Sequence, residues 1–401
     1  MANSSTTLRN SHTVSAYIPY GRQSISEQDI EAVVAVLRSD WLTQGPAIAR
    51  FEQAVADYCG AKYAIAVSNA TAALHIACLA LGLQSGQRLW TSPNTFVASA
   101  NCGLYCGAEV DFVDIDPHTY NLSVAALREK LEQAAKCDRL PQVVIPVHFS
   151  GQACAMAEIA ELADQYGFQV IEDASHALGG RYQSQTIGNG QFSEMTVFSF
   201  HPVKMITTGE GGMVLTNRVD LAERLRQLRS HGITQNPDRL LQDSPGAWYY
   251  EQQELGFNYR MTDLQAALGY SQLQRLEQFL DRRRDLAQRY NQQLQDLPIT
   301  LPYQHPDTHS SYHLYVIRLQ LERLNKSHRQ VFGALRDRGI GVQLHYIPVH
   351  TQPYYQQLGF QWGDFPQAEQ YYREAISLPM HQGLTDAMQD QVIRILHEVL
   401  Q

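Results

Sequence analysis

A lysine in an apolar loop and an aspartate after an apolar strand are the side chains of this sequence best suited to chemistry. Lys204 lies in the segment SFHPVKMITTGEGG (199–212), thirty-one residues after Asp173. Its apolar neighbours disfavour the ammonium form, which lowers the pKa of the amine and makes it a nucleophile. An unpaired carboxylate after a buried strand is costly, so Asp173 predicts a cationic partner.

Such a pair suits a pyridoxal phosphate enzyme. This chemistry needs a lysine that forms a Schiff base with the cofactor aldehyde, and an acid that keeps the ring nitrogen protonated so that the ring accepts electrons. Lys204 and Asp173 are the candidates for these two roles. His176, three residues after Asp173, is a candidate neighbour of the ring hydroxyl, and a packing histidine is the alternative.

The phosphate of this cofactor needs hydrogen-bond donors. The segment 68–71 (SNAT) opens a predicted helix, and it offers free backbone N–H groups and a hydroxyl at the positive end of the helix dipole. Ser199 is a further hydroxyl candidate, and Phe96 is a candidate to stack on the ring. Plain helix caps and a core aromatic ring are the alternatives for these residues.

Strand-like apolar runs alternate with helical patterns through the first half of the chain, after two helices predicted at 26–37 and 46–59. The predicted strands are 63–67, 88–91, 109–113, 143–147, 169–171, 196–200 and 213–216. The predicted helices between them are 70–81, 96–105, 124–135 and 156–166. Repeated β-α units predict an α/β fold with a mostly parallel sheet between layers of helices. Ligands of such sheets bind beyond the carboxyl ends of the strands, where the candidate residues lie.

The C-terminal hundred residues predict a second, smaller α/β domain. A long helix is predicted over 262–297, and the prolines at 298 and 302 end it. Beyond it we predict strands at 314–319, 342–344 and 376–378, a helix at 327–338 and a last helix from 385. We therefore expect a flexible tail over 1–16, a large domain over 17–297 and a small domain over 298–401.

Composition argues against several classes of protein. With 44% hydrophobic and 18% charged residues the chain is typical of globular proteins, and a formal charge of -9 without a dense basic tract argues against a nucleic-acid binder. The six cysteines lack CxxC spacing and no secretory signal is visible, so we expect a cytoplasmic protein without disulfides or a metal site. The apolar stretch 64–83 is interrupted by polar residues, and we expect no membrane span.

Five motifs resemble the DegT/DnrJ/EryC1/StrS nucleotide-sugar aminotransferases, which are fold type I pyridoxal phosphate enzymes. The motifs are DWLTQG (40–45), NTFVA (94–98), EDASHALG (172–179), the segment 199–212 and GFNYRMTD (256–263). The resemblance extends from about residue 18 to residue 400. It implies the two-domain aminotransferase fold, with a sheet between helices in the large domain and a small C-terminal domain.

The resemblance also implies a role for each matching residue. Lys204 is implied as the attachment point of the cofactor and as the general acid and base, and Asp173 as the partner of the ring nitrogen. The other implied cofactor contacts are His176 at the ring hydroxyl, Phe96 over the ring, Ala70, Thr71 and Ser199 at the phosphate, and Asn258 of the partner subunit at the phosphate. The last contact requires a homodimer. The family usually carries Gly at the position of Ala70.

Three shorter segments, IPYGRQ (18–23), SNATAAL (68–74) and SFHPVKMI (199–206), are similar to family members of pseudaminic acid biosynthesis. This implies L-glutamate as the amino donor, with 2-oxoglutarate as its product, and a UDP-linked 4-keto-6-deoxy-N-acetylhexosamine as the acceptor. The implied substrate-side candidates are Tyr20, Arg229, His231, Tyr312, His313, His345 and Tyr346.

The residues argue against two other functions. Dehydratase-like relatives carry His in place of the lysine, so Lys204 argues against them. A nicotinamide-dependent oxidoreductase needs a GxGxxG turn between strand and helix, and the sequence has none. Two alternatives stay open, namely an aminotransferase for a different 4-keto nucleotide sugar and a cofactor-loaded regulator or sugar-binding protein without turnover.

Overall fold

The computed structural model describes residues 17–401, so the predicted tail over 1–16 lies outside the described residues. The α-helices of the described part are α1 (Glu27–Leu37), α2 (Pro46–Cys59), α3 (Ala70–Ala80), α4 (Ala98–Tyr105), α5 (Val124–Ala135), α6 (Met156–Tyr166), α7 (Val219–Leu228), α8 (Asp263–Leu273), α9 (Leu276–Gln293), α10 (His328–Asp337), α11 (Pro353–Gln357), α12 (Pro366–Glu374) and α13 (Asp386–Leu400). Each helix of residues 17–401 is too short or too polar to cross a membrane.

The strands of the described residues form one large sheet and three small ones. They are β1 (Tyr63–Val67), β2 (Arg88–Thr91), β3 (Glu109–Phe112), β4 (Val143–Ile145), β5 (Gln169–Asp173), β6 (Arg181–Tyr182), β7 (Gln185–Thr186), β8 (Met195–Ser199), β9 (Gly212–Thr216), β10 (Ile233–Thr234), β11 (Glu251–Gln252), β12 (Ile299–Thr300), β13 (Thr308–His309), β14 (Tyr315–Leu319) and β15 (Ala375–Leu378). The large sheet has the order β1-β9-β8-β5-β4-β2-β3. Strand β9 is antiparallel to both neighbours and the other pairs are parallel, which confirms the predicted mostly parallel sheet.

Helices cover both faces of this sheet, because the strands carry apolar side chains on both faces. In β1 the side chains alternate, so that Ala64 and Ala66 belong to one core cluster and Ile65 and Val67 to another. Helices α2, α5, α6 and α8 supply the first cluster, and α3, α4 and α7 supply the second. The large sheet is therefore the middle layer of three, as the sequence predicts.

Local signals set the ends of the first two helices. Ser26 and Asp29 form a reciprocal capping box at the start of α1. Helix α2 begins at Pro46, whose missing N–H costs nothing in the first turn. It ends at Cys59, and the next residue, Gly60, has the left-handed φ of 77°. These are the signals from which the sequence predicts both helices.

The C-terminal segment forms its own antiparallel sheet, in the order β12-β14-β15. Helices α10 and α13 pack on it through a separate apolar cluster, to which Ile18 and the second half of α9 also contribute. The C-terminal segment thus contains both strands and helices. The small domain over 298–401, with its boundary after residue 297, stays a prediction.

Two predicted elements are wrong. The helix over 262–297 is two helices, α8 and α9, which meet at Gln274 and Arg275. Arg275 donates to the carboxylate of Asp29 and to the carbonyl of Ser24, so a distant contact fixes the break where no Gly or Pro marks it. The strand over 342–344 is a single bridge between Gln343 and Ser377, because the chain pairs with β15 at this one residue.

We predict that Asp263→Ala lowers the free energy of unfolding by about 1–3 kcal/mol, the usual effect of leaving buried donors without an acceptor. The buried carboxylate of Asp263 accepts from the N–H groups of Gly45 and Ala47, at the start of α2, the latter at 2.8 Å. Thermal or urea unfolding at a fixed cofactor concentration measures the change. Asp220→Ala is the control, because Asp220 also lies in a first helical turn but is exposed. Equal effects of the two substitutions would contradict the prediction.

Candidate functional site

A cavity of about 710 Å³ lies at the carboxyl ends of the parallel strands. Asp173 ends β5 and Ser199 ends β8, and the loop after β8 carries Lys204. Eleven residues named from the sequence line this cavity, namely Tyr20, Ala70, Thr71, Phe96, Asp173, His176, Ser199, Lys204, His313, His345 and Tyr346. The sheet topology thus brings together side chains that are hundreds of residues apart in the chain.

Lys204 faces the cavity from a loop whose next residues are buried. Met205 and Ile206 anchor this loop in the core, and the N–H of Lys204 donates to the carbonyl of His201 at 2.9 Å. Burial lowers the pKa of the Lys204 amine to about 8, while the negative charge of Asp173 acts in the opposite direction. Within residues 17–401 no group accepts a hydrogen bond from this amine. A reactive, partly deprotonated amine is therefore available to a bound molecule.

Hydrogen bonds hold the buried carboxylate of Asp173. The Ser99 hydroxyl donates to its Oδ2 at 2.7 Å, and the N–H of Ser175 donates to its Oδ1 at 3.1 Å. Thr95 Oγ1 lies 2.7 Å from the Ser99 oxygen, whose own proton goes to Asp173, so Thr95 donates to Ser99. These donors fix the position of the carboxylate, whose oxygens can also accept a hydrogen bond from a ring nitrogen.

Three buried histidines, His176, His313 and His345, surround the cavity near Lys204. The rings of His176 and His313 lie 4.4 Å apart. Burial lowers the pKa of all three, to about 3 for His345, and the charge of Lys204 lowers each pKa further. They are therefore neutral at physiological pH and can each both donate and accept a hydrogen bond.

The start of α3 offers donors to an anion. Asn69 caps this helix by accepting from the N–H of Ala72 at 2.8 Å, whereas the N–H groups of Ala70 and Thr71 lie in the first turn, where they have no intrahelical acceptor. Gly212 allows β9 to pack against this turn, since an added Cβ would lie 2.6 Å from the backbone nitrogen of Ala70. The glycine-rich segment therefore serves close packing of the predicted phosphate site.

Four predicted site residues lie outside the cavity of a single chain. Arg229 forms an ion pair with Glu52 and donates to the carbonyl of Ala66 at 2.7 Å, so it has a role within the fold. The other three are Asn258 and His231, which are exposed, and Tyr312, which is half-buried. Their roles in binding the cofactor or the substrate stay predictions, as does that of Arg229.

Sequence reasoning missed several residues of the cavity wall. Ser99 and His75 line it; Ser99 lies three residues after the candidate Phe96, and His75 lies four residues after the candidate Thr71. Helical spacing can place such pairs on one face, but it does not distinguish Ser99 or His75 from other residues one turn away. Tyr105, Ser175, His201, Glu210 and Tyr259 also line the cavity.

Comparison with known proteins gives consistent results over nearly the whole chain. The sequence pattern of the DegT/DnrJ/EryC1/StrS aminotransferase family matches residues 23–397. The chain is 38% identical to the spore coat polysaccharide biosynthesis protein SpsC of Bacillus subtilis, over 96% of this chain and 97% of that protein. It is 36% identical to the UDP-4-amino-4,6-dideoxy-N-acetyl-beta-L-altrosamine transaminase of Campylobacter jejuni, over 95% and 98% respectively.

A solved structure agrees with these sequence matches. The Helicobacter pylori aminotransferase PseC, involved in the biosynthesis of pseudoaminic acid, superposes with a TM-score of 0.87 at 30% identity, over 96% of this chain and 99% of that one. The cavity also fits the cofactor of such enzymes, because a free amine, a buried carboxylate and unpaired helix N–H groups match an aldehyde, a ring nitrogen and a phosphate. The chain therefore belongs to the DegT/DnrJ/EryC1/StrS family and is a pyridoxal phosphate-dependent sugar aminotransferase.

Proposed function

We propose that this enzyme moves an amino group from L-glutamate to C4 of a UDP-linked 4-keto-6-deoxy-N-acetylhexosamine, giving UDP-4-amino-4,6-dideoxy-N-acetyl-β-L-altrosamine. The observation that carries the proposal is the free amine of Lys204 in one cavity with the carboxylate of Asp173. Similarity to the Campylobacter transaminase and to PseC supports this acceptor.

In this proposal the side chains hold the cofactor and move protons. Lys204 would hold the cofactor through its amine. Once free, the same amine would take the proton from the α carbon of glutamate in the first half-reaction and deliver a proton to C4 of the sugar in the second. Asp173, whose carboxylate is positioned by the hydroxyl of Ser99, would bind the ring nitrogen. When bound, the cofactor supplies a ring that takes up the electron pair left by the departing proton.

The remaining predicted cofactor contacts follow from position. Ala70 and Thr71 would bind the phosphate through the N–H groups at the start of α3, and Ser199 through its hydroxyl at the end of β8. Phe96, 59% exposed in the single chain, would cover the ring. Asn258 of the partner subunit would complete the phosphate site in a homodimer, which its exposed position in its own chain permits.

The sugar is proposed to bind on the side of the neutral histidines. Tyr20, His313, His345 and Tyr346 line this part of the cavity. Because the two histidine rings are uncharged, they can bind a keto oxygen and sugar hydroxyls without repelling the nearby Lys204 amine. The charged UDP group would need cationic or backbone donors further out.

A different 4-keto nucleotide sugar is the second candidate acceptor. The similarity to the spore coat polysaccharide protein SpsC favours it, because this relative is at least as similar to the chain as the altrosamine transaminase is. The same cavity residues would act in both cases.

We predict that glutamate bleaches the absorbance of the cofactor-loaded enzyme and that one 4-keto UDP-sugar from a stereochemical panel restores it. Mass spectrometry of the product identifies the amino sugar. If only the 4-keto precursor of the altrosamine restores the absorbance, that sugar is the acceptor. If another 4-keto sugar restores it, the second candidate acceptor replaces the first. If glutamate does not change the absorbance, the protein is a regulator without turnover.

We predict that cofactor-free enzyme attaches pyridoxal phosphate at a rate that rises with pH and is half-maximal at about 8, the pKa of Lys204. Only the neutral amine attacks an aldehyde, and below this pH the amine is mostly protonated. An ordinary lysine would give a half-maximal rate at about pH 10.4. Stopped-flow absorbance measures the rate. Borohydride treatment and peptide mass spectrometry must place the label on Lys204, and Lys204→Ala must abolish it.

We predict that Ser99→Ala lowers kcat about 2- to 10-fold, because the Asp173 carboxylate loses one hydrogen bond worth about 0.5–1.5 kcal/mol. Ser193→Ala is the matched control, since it removes a hydroxyl from the neighbouring carboxylate of Glu172, which does not line the cavity. Steady-state kinetics with saturating cofactor should separate the two variants. An equal fall in kcat for both would mean that Ser99 acts only through stability.

A further inference from the structure

A line of hydrogen bonds runs from a backbone amide to the cavity. The N–H of Ser150 donates to Nδ1 of His176 at 3.2 Å. The other ring nitrogen of His176, Nε2, lies 3.1 Å from the hydroxyl oxygen of Tyr346. His176 and Tyr346 both line the cavity, so the direction of these bonds decides what Tyr346 offers to a bound molecule.

The first bond fixes the direction of the others. A backbone N–H can only donate, so Nδ1 of His176 accepts and carries no proton. Burial, the positive charge of Lys204 and His345 all lower the pKa of His176 well below its usual value, and its ring is neutral. The single ring proton is therefore on Nε2, which donates to the oxygen of Tyr346. Within residues 17–401 no other group forms a hydrogen bond with the Tyr346 hydroxyl, so the proton of this hydroxyl has no acceptor there.

The surrounding structure holds the Ser150 amide in this direction. Ser150 has a φ of 61°, in the left-handed region that non-glycine residues rarely adopt, and its Oγ donates to the carbonyl of Leu314 at 2.7 Å. An added Cβ on the next residue, Gly151, would lie 2.3 Å from Oγ of Ser311, which itself donates to the carbonyl of His176 at 2.7 Å. Packing on both sides thus maintains a strained backbone beside the site.

We propose that Tyr346 is a fixed hydrogen-bond donor to an oxygen atom of the bound molecule, with Ser150 and His176 as positioning residues that set its direction. The identity of this oxygen rests on the proposed function, where it is either the ring hydroxyl oxygen of the cofactor or the keto oxygen of the sugar. Burial raises the pKa of the Tyr346 phenol, which therefore keeps its proton. A preorganised donor of this kind stabilises negative charge that forms on either oxygen.

The direction of the bonds is tested by ¹⁵N NMR of the cofactor-loaded enzyme with labelled histidine, near neutral pH. The signals missing in a His176→Gln variant identify this ring. We expect an unprotonated Nδ1 and a protonated Nε2, and a shift of the Nε2 signal alone in Tyr346→Phe. A proton on Nδ1 would overturn the proposal. This measurement needs no substrate, so it is independent of the proposed acceptor.

The acceptor oxygen is tested with Tyr346→Phe in two separate measurements. If the oxygen belongs to the cofactor, the absorbance of the resting enzyme and its pH titration change. If it belongs to the sugar, the resting spectrum stays the same and the half-reaction with the keto sugar slows about 10-fold or more, the effect of one lost hydrogen bond to a charged group. Either result supports the proposal.

The matched control is Tyr355→Phe. It also removes a hydroxyl with a hydrogen bond, to Oδ1 of Asn101 at 2.7 Å, but this tyrosine does not line the cavity. We expect the control to leave both the spectrum and the half-reaction within about 2-fold of the parent enzyme, as for changes away from a reacting centre. If Tyr346→Phe also matches the parent in both measurements, the proposal is wrong.

Discussion

The amine of Lys204 and the carboxylate of Asp173 line one cavity, so the same enclosed surroundings must accommodate both groups. Burial disfavours the charged form of an amine. For Lys204 this is useful, because it lowers the pKa of the amine to about 8. The carboxylate of Asp173 instead receives hydrogen bonds from Ser99 and Ser175. The arrangement of the surrounding residues follows from this difference.

The strand that carries Asp173 is also fixed from its other face. Glu172 points the opposite way, as neighbours in a strand do, and it accepts from Ser193 and Thr196 and pairs with His148 at 2.7 Å. Burial alone would raise the pKa of Glu172, but these partners lower it. Two adjacent buried carboxylates therefore receive hydrogen bonds from separate sets of donors. One set supports the strand and the other faces the cavity.

Most of the fold could be predicted because local patterns and tertiary packing agree. The bounds of β1, β2, α2, α5 and α6 match the predicted runs, since each has an uninterrupted apolar pattern and a terminating signal nearby. The break between α8 and α9 could not be predicted, because it depends on the ion pair of Arg275 with Asp29, nearly 250 positions away in the sequence. A contact between residues this far apart produces no pattern in a short stretch of sequence.

The site also contains residues that could be predicted from the sequence and residues that could not. Residues at strand ends, such as Asp173 and Ser199, could be placed because parallel strands put their carboxyl ends at one edge. Ser99 could not be ranked above any other helical serine until its contact with Asp173 was known. One family motif can combine two kinds of residue. Asp263, the last residue of one motif, binds Gly45, the last residue of another, and this contact fixes the start of a helix, whereas Tyr259 of the first motif lines the cavity.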